Sequence, residues 1–151
     1  MKGTRNGRRP AGGLEILGCE QRTRLELPLY LAAVAAGFPS PADDFIDQKL
    51  DLNEYCIDHP AATFFVRVHG DSMREAGIHD GDVLVVDRAA DPANNKVVIA
   101  ALDGELTVKR LHTKNGALFL MPANPEFKPI EITEGRGFEI WGVVTYVIHK
   151  V

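Results

Sequence analysis

Val97–Val98–Ile99–Ala100–Ala101–Leu102–Asp103–Gly104–Glu105–Leu106–Thr107–Val108–Lys109–Arg110–Leu111 is two strand-forming runs joined by an Asp-Gly step. That step is a strong short-range signal for a β-hairpin, because both of its residues tolerate the left-handed backbone a tight turn needs. The pattern repeats on either side. Runs at 63–69, 82–87, 117–122 and 138–149 are rich in Val, Ile, Leu, Phe and Thr, with further turn signals at Asp80–Gly81 and Asn115–Gly116. Six short strands with tight turns predict a mainly β fold, a strongly twisted antiparallel sheet or partial barrel. The last run, Phe138 to Ile148, is apolar on both faces. Such a strand is central in its sheet or covered on its second side by a partner chain.

Upstream the pattern changes. Asp51 followed by Glu54 predicts a capped helical turn or two carrying Leu52, Tyr55, Cys56 and Ile57, ended by Pro60. Ser40–Pro41, with Asp43 and Asp44 in a first turn, predicts another short helix whose weak amphipathic face is Phe45, Ile46, Lys49 and Leu50. Gly37–Phe38–Pro39–Ser40–Pro41 cannot be helical, because each proline forces its predecessor extended. An extended, exposed backbone is also the conformation in which a protease binds its substrate. Residues 27–36 are apolar and small, fitting a short helix or an extended segment. Residues 1–26 read as a mobile arm of Gly, Arg and mixed charge. The expected division is a flexible arm over 1–40 and a β-rich domain over 41–151.

The 151 residues suffice for one domain with a real core, and 45% hydrophobic against 25% charged residues is the globular average. A net charge of −4 argues against sequence-specific DNA binding by this chain alone, since phosphate-binding surfaces carry a basic excess. The early cluster Lys2, Arg5, Arg8 and Arg9 has Gly and Pro between its members and no aromatic residue, as a solvated tail does. Cys19 and Cys56 are too few for a disulfide framework. The five histidines show no ligand spacing, so neither a metal nor a cofactor is expected. No apolar run approaches a membrane span. Ile16–Leu17–Gly18–Cys19 looks like a lipoprotein box but lacks an apolar run before it. Leu27 to Ala36 looks like a short signal core but is broken by Pro28 and preceded by Glu15, Glu20 and Glu26. A cytoplasmic protein is expected.

Two residues could carry chemistry. Ser72 follows the strand-forming run Thr63 to Val68, and Arg74–Glu75–Ala76–Gly77 then makes about one helical turn. A serine at such a corner has an exposed hydroxyl beside unpaired N–H groups, those of Asp71 and Ser72, which can stabilise an oxyanion. Ser72-x-x-Glu75 is equally a capping box, a purely structural device. Strand alternation puts Thr107, Lys109 and Leu111 on one face. Lys109 either snorkels at an edge or is buried. Burial disfavours its charged form, and a neutral amine can take the proton of a serine hydroxyl.

Phe65 to Met73 followed by Gly77–Ile78–His79–Asp80–Gly81–Asp82 resembles the nucleophile region of the LexA/UmuD self-cleaving serine peptidases, which share a fold with signal peptidases. Val97 to Leu111 resembles their lysine strand, and the separation of 37 between Ser72 and Lys109 resembles the family's. Ala36–Gly37–Phe38–Pro39–Ser40–Pro41 resembles the cleavage site of its UmuD-like branch. The resemblance implies Ser72 as nucleophile, Lys109 as general base and Ala36–Gly37 as the scissile bond. The 36 residues before Gly37 are too few for the helix-turn-helix domain of the repressors. The UmuD-like branch implies a homodimer cleaved under stimulation by RecA filaments on single-stranded DNA. The shortened form then joins a Y-family, UmuC-like catalytic subunit in error-prone translesion synthesis during the SOS response. Two other readings stay open, a non-catalytic polymerase accessory with a vestigial dyad and, with no anchor before Ser72 to support it, a signal peptidase.

Overall fold

The Asp103–Gly104 hairpin forms as its sequence predicts, with Asp103 and Gly104 at φ of 50° and 84°. In the computed structural model, which describes residues 14–19, 23–30 and 46–151, it joins two central strands of an eight-stranded antiparallel sheet. The strands are β1 (Leu14–Leu17), β4 (Thr63–Val68), β5 (Val83–Asp87), β6 (Val97–Leu102), β7 (Glu105–Lys114), β8 (Ala117–Met121), β9 (Ile130–Ile132) and β10 (Phe138–Ile148). Their order is β1-β4-β5-β10-β6-β7-β8-β9, and the sheet does not close into a barrel. A separate ribbon pairs β2 (Leu27–Tyr30) with β3 (Ile46–Leu50). The fold is mainly β, as predicted, and all six predicted strands are present.

Four local readings differ. Asp80–Gly81 is not a two-residue hairpin turn. It closes a longer excursion between β4 and β5, where Gly81 N–H donates to Val68 O and Val68 N–H to Asp82 O, both at 2.8 Å. Ile46–Leu50 is a strand rather than the end of a helix, because pairing with β2 offers its backbone more than one weakly amphipathic turn can. The rest of that expected helix, from Ser40 to Phe45, lies outside the described residues. Residues 1–26 are not all free arm, since Leu14–Leu17 adds to the edge of β4 with Leu14 opposite Val68 and Leu17 opposite Phe65. Leu14 is buried there, and Glu15 faces Arg67 across the pair. The strand β9 had no signal in the sequence, being three residues long.

The helical reading at Asp51 stands. Its carboxylate accepts the N–H groups of Asn53 and Glu54 at 2.8 and 3.2 Å, capping α1 (Leu52–Cys56). It also accepts Leu25 N–H at 2.5 Å, which ties the upstream chain to the body.

Two clusters make the core. One joins Val66, Val68, Met73, Ile78, Leu84, Val86, Ile99 and Val108 with Leu14, and the other joins Val98, Ala100, Leu111, Leu120 and Val143. Of the two explanations for the doubly apolar last strand, centrality holds. β10 pairs with β6 through its first half and with β5 through its second. Tyr146, Val147 and Ile148 at its far end nevertheless remain 37–55% exposed.

The step from one half of β10 to the other runs through Gly142, beside a register irregularity after Ile140. A Cβ there would sit 2.7 Å from Val86 Cγ1 and 3.0 Å from the carbonyl oxygen of Asp87. The valine can turn, but the carbonyl belongs to a paired strand. Gly142→Ala is therefore expected to cost about 1–3 kcal/mol by overpacking. Chemical denaturation checks this through a lowered midpoint at unchanged slope. An unchanged midpoint would show that the sheet absorbs the methyl group freely.

Candidate active site

The nucleophile candidate lies in the β4–β5 excursion. After β4 the chain passes Gly70, whose N–H is held by Asp80 Oδ1 at 2.7 Å, and enters one 3-10 turn, Arg74–Ala76, closed by Gly77. Met73 and Ile78 flank the turn and are 1% and 2% exposed, so two apolar pegs seat the corner in the core. At the excursion's end buried Asp82 accepts His79 N–H at 2.8 Å and meets His149 Nδ1 at 2.5 Å, tethering the corner to the end of β10. The first residue of the turn's cap is Met73, and no side chain caps it. Ser72 is thus not spent as a helix cap, and its hydroxyl has another partner.

That partner is Lys109 on β7, opposite Val98 of β6. Lys109 is 8% exposed, and its Nζ lies 3.0 Å from Ser72 Oγ, 2.9 Å from Thr107 Oγ1 and 3.0 Å from the carbonyl oxygen of Val108. Of the two alternatives for this lysine, burial is the one observed. Desolvation pushes its amine below the ordinary lysine value of 10.5. All three neighbours are uncharged, so no carboxylate restores the ammonium form.

The three contacts also orient the amine. A carbonyl oxygen can only accept, so one N–H is committed to Val108. A second N–H goes to Thr107 Oγ1, on the same strand face. In the neutral amine the lone pair is then left facing Ser72, whose hydroxyl can donate to it. Thr107 was legible in the sequence only as a neighbour on the face of Lys109.

A third element had no functional reading in the sequence. After β8 the chain turns through Pro122–Ala123–Asn124–Pro125 and lies against the serine corner. Ala123 N–H donates to Ser72 O at 2.8 Å, Glu75 N–H donates to Ala123 O at 2.8 Å, and Asn124 Nδ2 donates to Asp71 O at 2.9 Å. The two prolines announce a turn, but nothing local says what it packs against. Among the described residues none accepts the N–H of Asp71, Ser72 or Met73. The structure thus brings together Ser72, Lys109 and the Asp71–Ser72 backbone. Ala36 and Gly37, the expected scissile pair, lie outside the described residues. Also among the described residues, no helix is long and apolar enough to cross a membrane, and no group of three or more acidic, His or Cys side chains is placed to hold a metal.

A buried amine against a corner serine is an arrangement in which a neutral lysine can take the proton of a serine hydroxyl. The chain belongs to the Peptidase S24-like family, whose model matches residues 28–145. It is 52% identical over 123 residues to protein SamA of Salmonella typhimurium, covering 82% of this chain and 85% of that one. It is 48% identical over 121 residues to protein MucA of Escherichia coli, covering 80% and 82%. To the LexA repressor of Paracidovorax citrulli it is 38% identical over 128 residues, 85% of this chain but 56% of the repressor.

Proposed function

We propose that this chain is a self-cleaving serine peptidase of the UmuD-like branch, with Ser72 as nucleophile and Lys109 as general base. The observation that carries the reading is the 3.0 Å contact between Ser72 Oγ and a buried, carboxylate-free Lys109 Nζ. The neutral amine takes the hydroxyl proton as Oγ attacks the carbonyl carbon of Ala36. The oxyanion faces the N–H groups of Asp71 and Ser72. Collapse breaks the bond to Gly37, whose nitrogen leaves with the proton returned by Lys109, and water then hydrolyses the Ala36 ester on Ser72. A small residue before the bond and a glycine after it allow the substrate backbone close to a shallow site.

The biological setting comes with the family resemblance. RecA filaments on single-stranded DNA stimulate the cut, and the shortened form, a cytoplasmic homodimer, serves a Y-family catalytic subunit in translesion synthesis. The exposed apolar end of β10 supports a second copy as one of its partners. Incubating the purified chain at alkaline pH, or with an activated filament, is expected to yield a fragment beginning at Gly37, located by intact-mass spectrometry. A new terminus elsewhere would overturn the site. An uncut chain under both conditions would leave only a non-catalytic accessory protein.

A further inference from the structure

We propose that Asn124 is a positioning residue that sets the direction of the Ser72 N–H, one of the two oxyanion donors of the serine corner, an inference that rests on the peptidase reading above. Asn124 is 3% exposed, and both ends of its amide are used. Oδ1 accepts Glu126 N–H at 3.0 Å, and Nδ2 donates to the carbonyl oxygen of Asp71 at 2.9 Å. The two bonds agree on the amide's orientation, since only the oxygen can accept from an N–H and only the nitrogen can donate to a carbonyl.

The carbonyl of Asp71 and the N–H of Ser72 belong to one planar trans peptide and point in opposite directions. Anchoring the oxygen on Asn124 therefore aims the Ser72 N–H away from the β8–β9 turn. The next peptide is fixed in the same way, because Ser72 O accepts Ala123 N–H at 2.8 Å and so aims the N–H of Met73. Neither N–H has an acceptor among the described residues. A donor of this kind is effective only when its direction is set before the charge develops. The 71–72 peptide has one other hold on its carbonyl, since Asp71 O also accepts Arg74 N–H at 3.2 Å within the turn itself. Asn124 supplies the shorter bond, and it comes from outside the turn.

The test compares Asn124→Asp and Asn124→Ala with the parent chain in alkaline self-cleavage, following the rate across pH. Asn124→Asp keeps the size and the acceptor for Glu126 N–H, removes the donor and adds a negative charge. Asn124→Ala removes both without adding charge. The plateau at high pH, where the lysine amine is neutral in every protein, is expected to fall roughly tenfold to a hundredfold in both, less than deletion of an oxyanion donor outright. The inflection of the Asn124→Ala profile is expected to stay where the parent has it. A general loosening of the site would instead let water reach Lys109 and move that inflection up. Thermal melting confirms that each variant is folded at the assay temperature.

A folded variant cleaving at the parent's plateau, or one whose loss comes only through a shifted inflection, would overturn the role of Asn124 while leaving the peptidase intact. If Asn124→Ala does not fold, Asn124→Asp decides alone by its plateau. Failure of the parent chain to cleave would overturn the peptidase reading instead, so the two failures are distinguishable.

Discussion

Lys109→Met is expected to slow self-cleavage by about 10²–10⁴-fold, the usual contribution of a positioned general base. Ser72→Ala is expected to remove it to at least the same degree, and the double variant to be no worse than the more damaged single one, because the two groups act as a unit. Lys109→Arg tests the chemistry more sharply. A guanidinium keeps the charge and the donors but does not give up its proton at any usable pH, so this variant is expected to be as inactive as the methionine. In the parent chain the rate is expected to climb about tenfold per pH unit and then level off. The bend lies below 10.5, because burial holds the amine below that value. Rates from time courses across pH check all of this. A flat profile, or a Lys109→Met protein cutting at the parental rate, would remove Lys109 from the mechanism.

The same burial links stability to pH. Between the folded amine's lowered value and 10.5 the unfolded chain binds more protons than the native one. The slope of stability with pH is positive wherever that holds. The parent is therefore expected to gain stability relative to Lys109→Met as pH rises through that window, measured by paired denaturation curves.

The second large effect concerns the core. Leu84→Ala is expected to cost about 2–5 kcal/mol, since Leu84 is fully buried between Val66 of β4 and Val147 of β10 in register. For a chain of this size that corresponds to a fall in melting temperature of roughly 5–15 °C. The cavity opens in the cluster that also holds Met73 and Ile78, the two pegs of the serine corner. Calorimetry measures the first effect and the cleavage plateau the second. A loss well under 1 kcal/mol would mean that the two core clusters collapse into the space.

What the sequence could declare was local. Asp103–Gly104 and Asn115–Gly116 announce their hairpins because turn chemistry acts between adjacent residues, and both adopt the left-handed backbone those pairs favour. Asp51 announces its cap for the same reason. Ser72 and Lys109 were legible as candidates, yet each carried a bland alternative that its own neighbours could not dismiss. A capping box and a solvated strand lysine look identical in one dimension to a nucleophile and its base. The tertiary fold separates them, because packing β7 against the corner removes water from Lys109 and leaves Ser72 Oγ as one of three hydrogen-bond partners within 3.0 Å. The pairing of Leu14–Leu17 with β4, the strand at Ile46–Leu50 and the grip of Asn124 on Asp71 were decided there too. Each depends on a partner many residues away, and contacts of that range are selected by the closing of the whole sheet rather than by any segment's own preference.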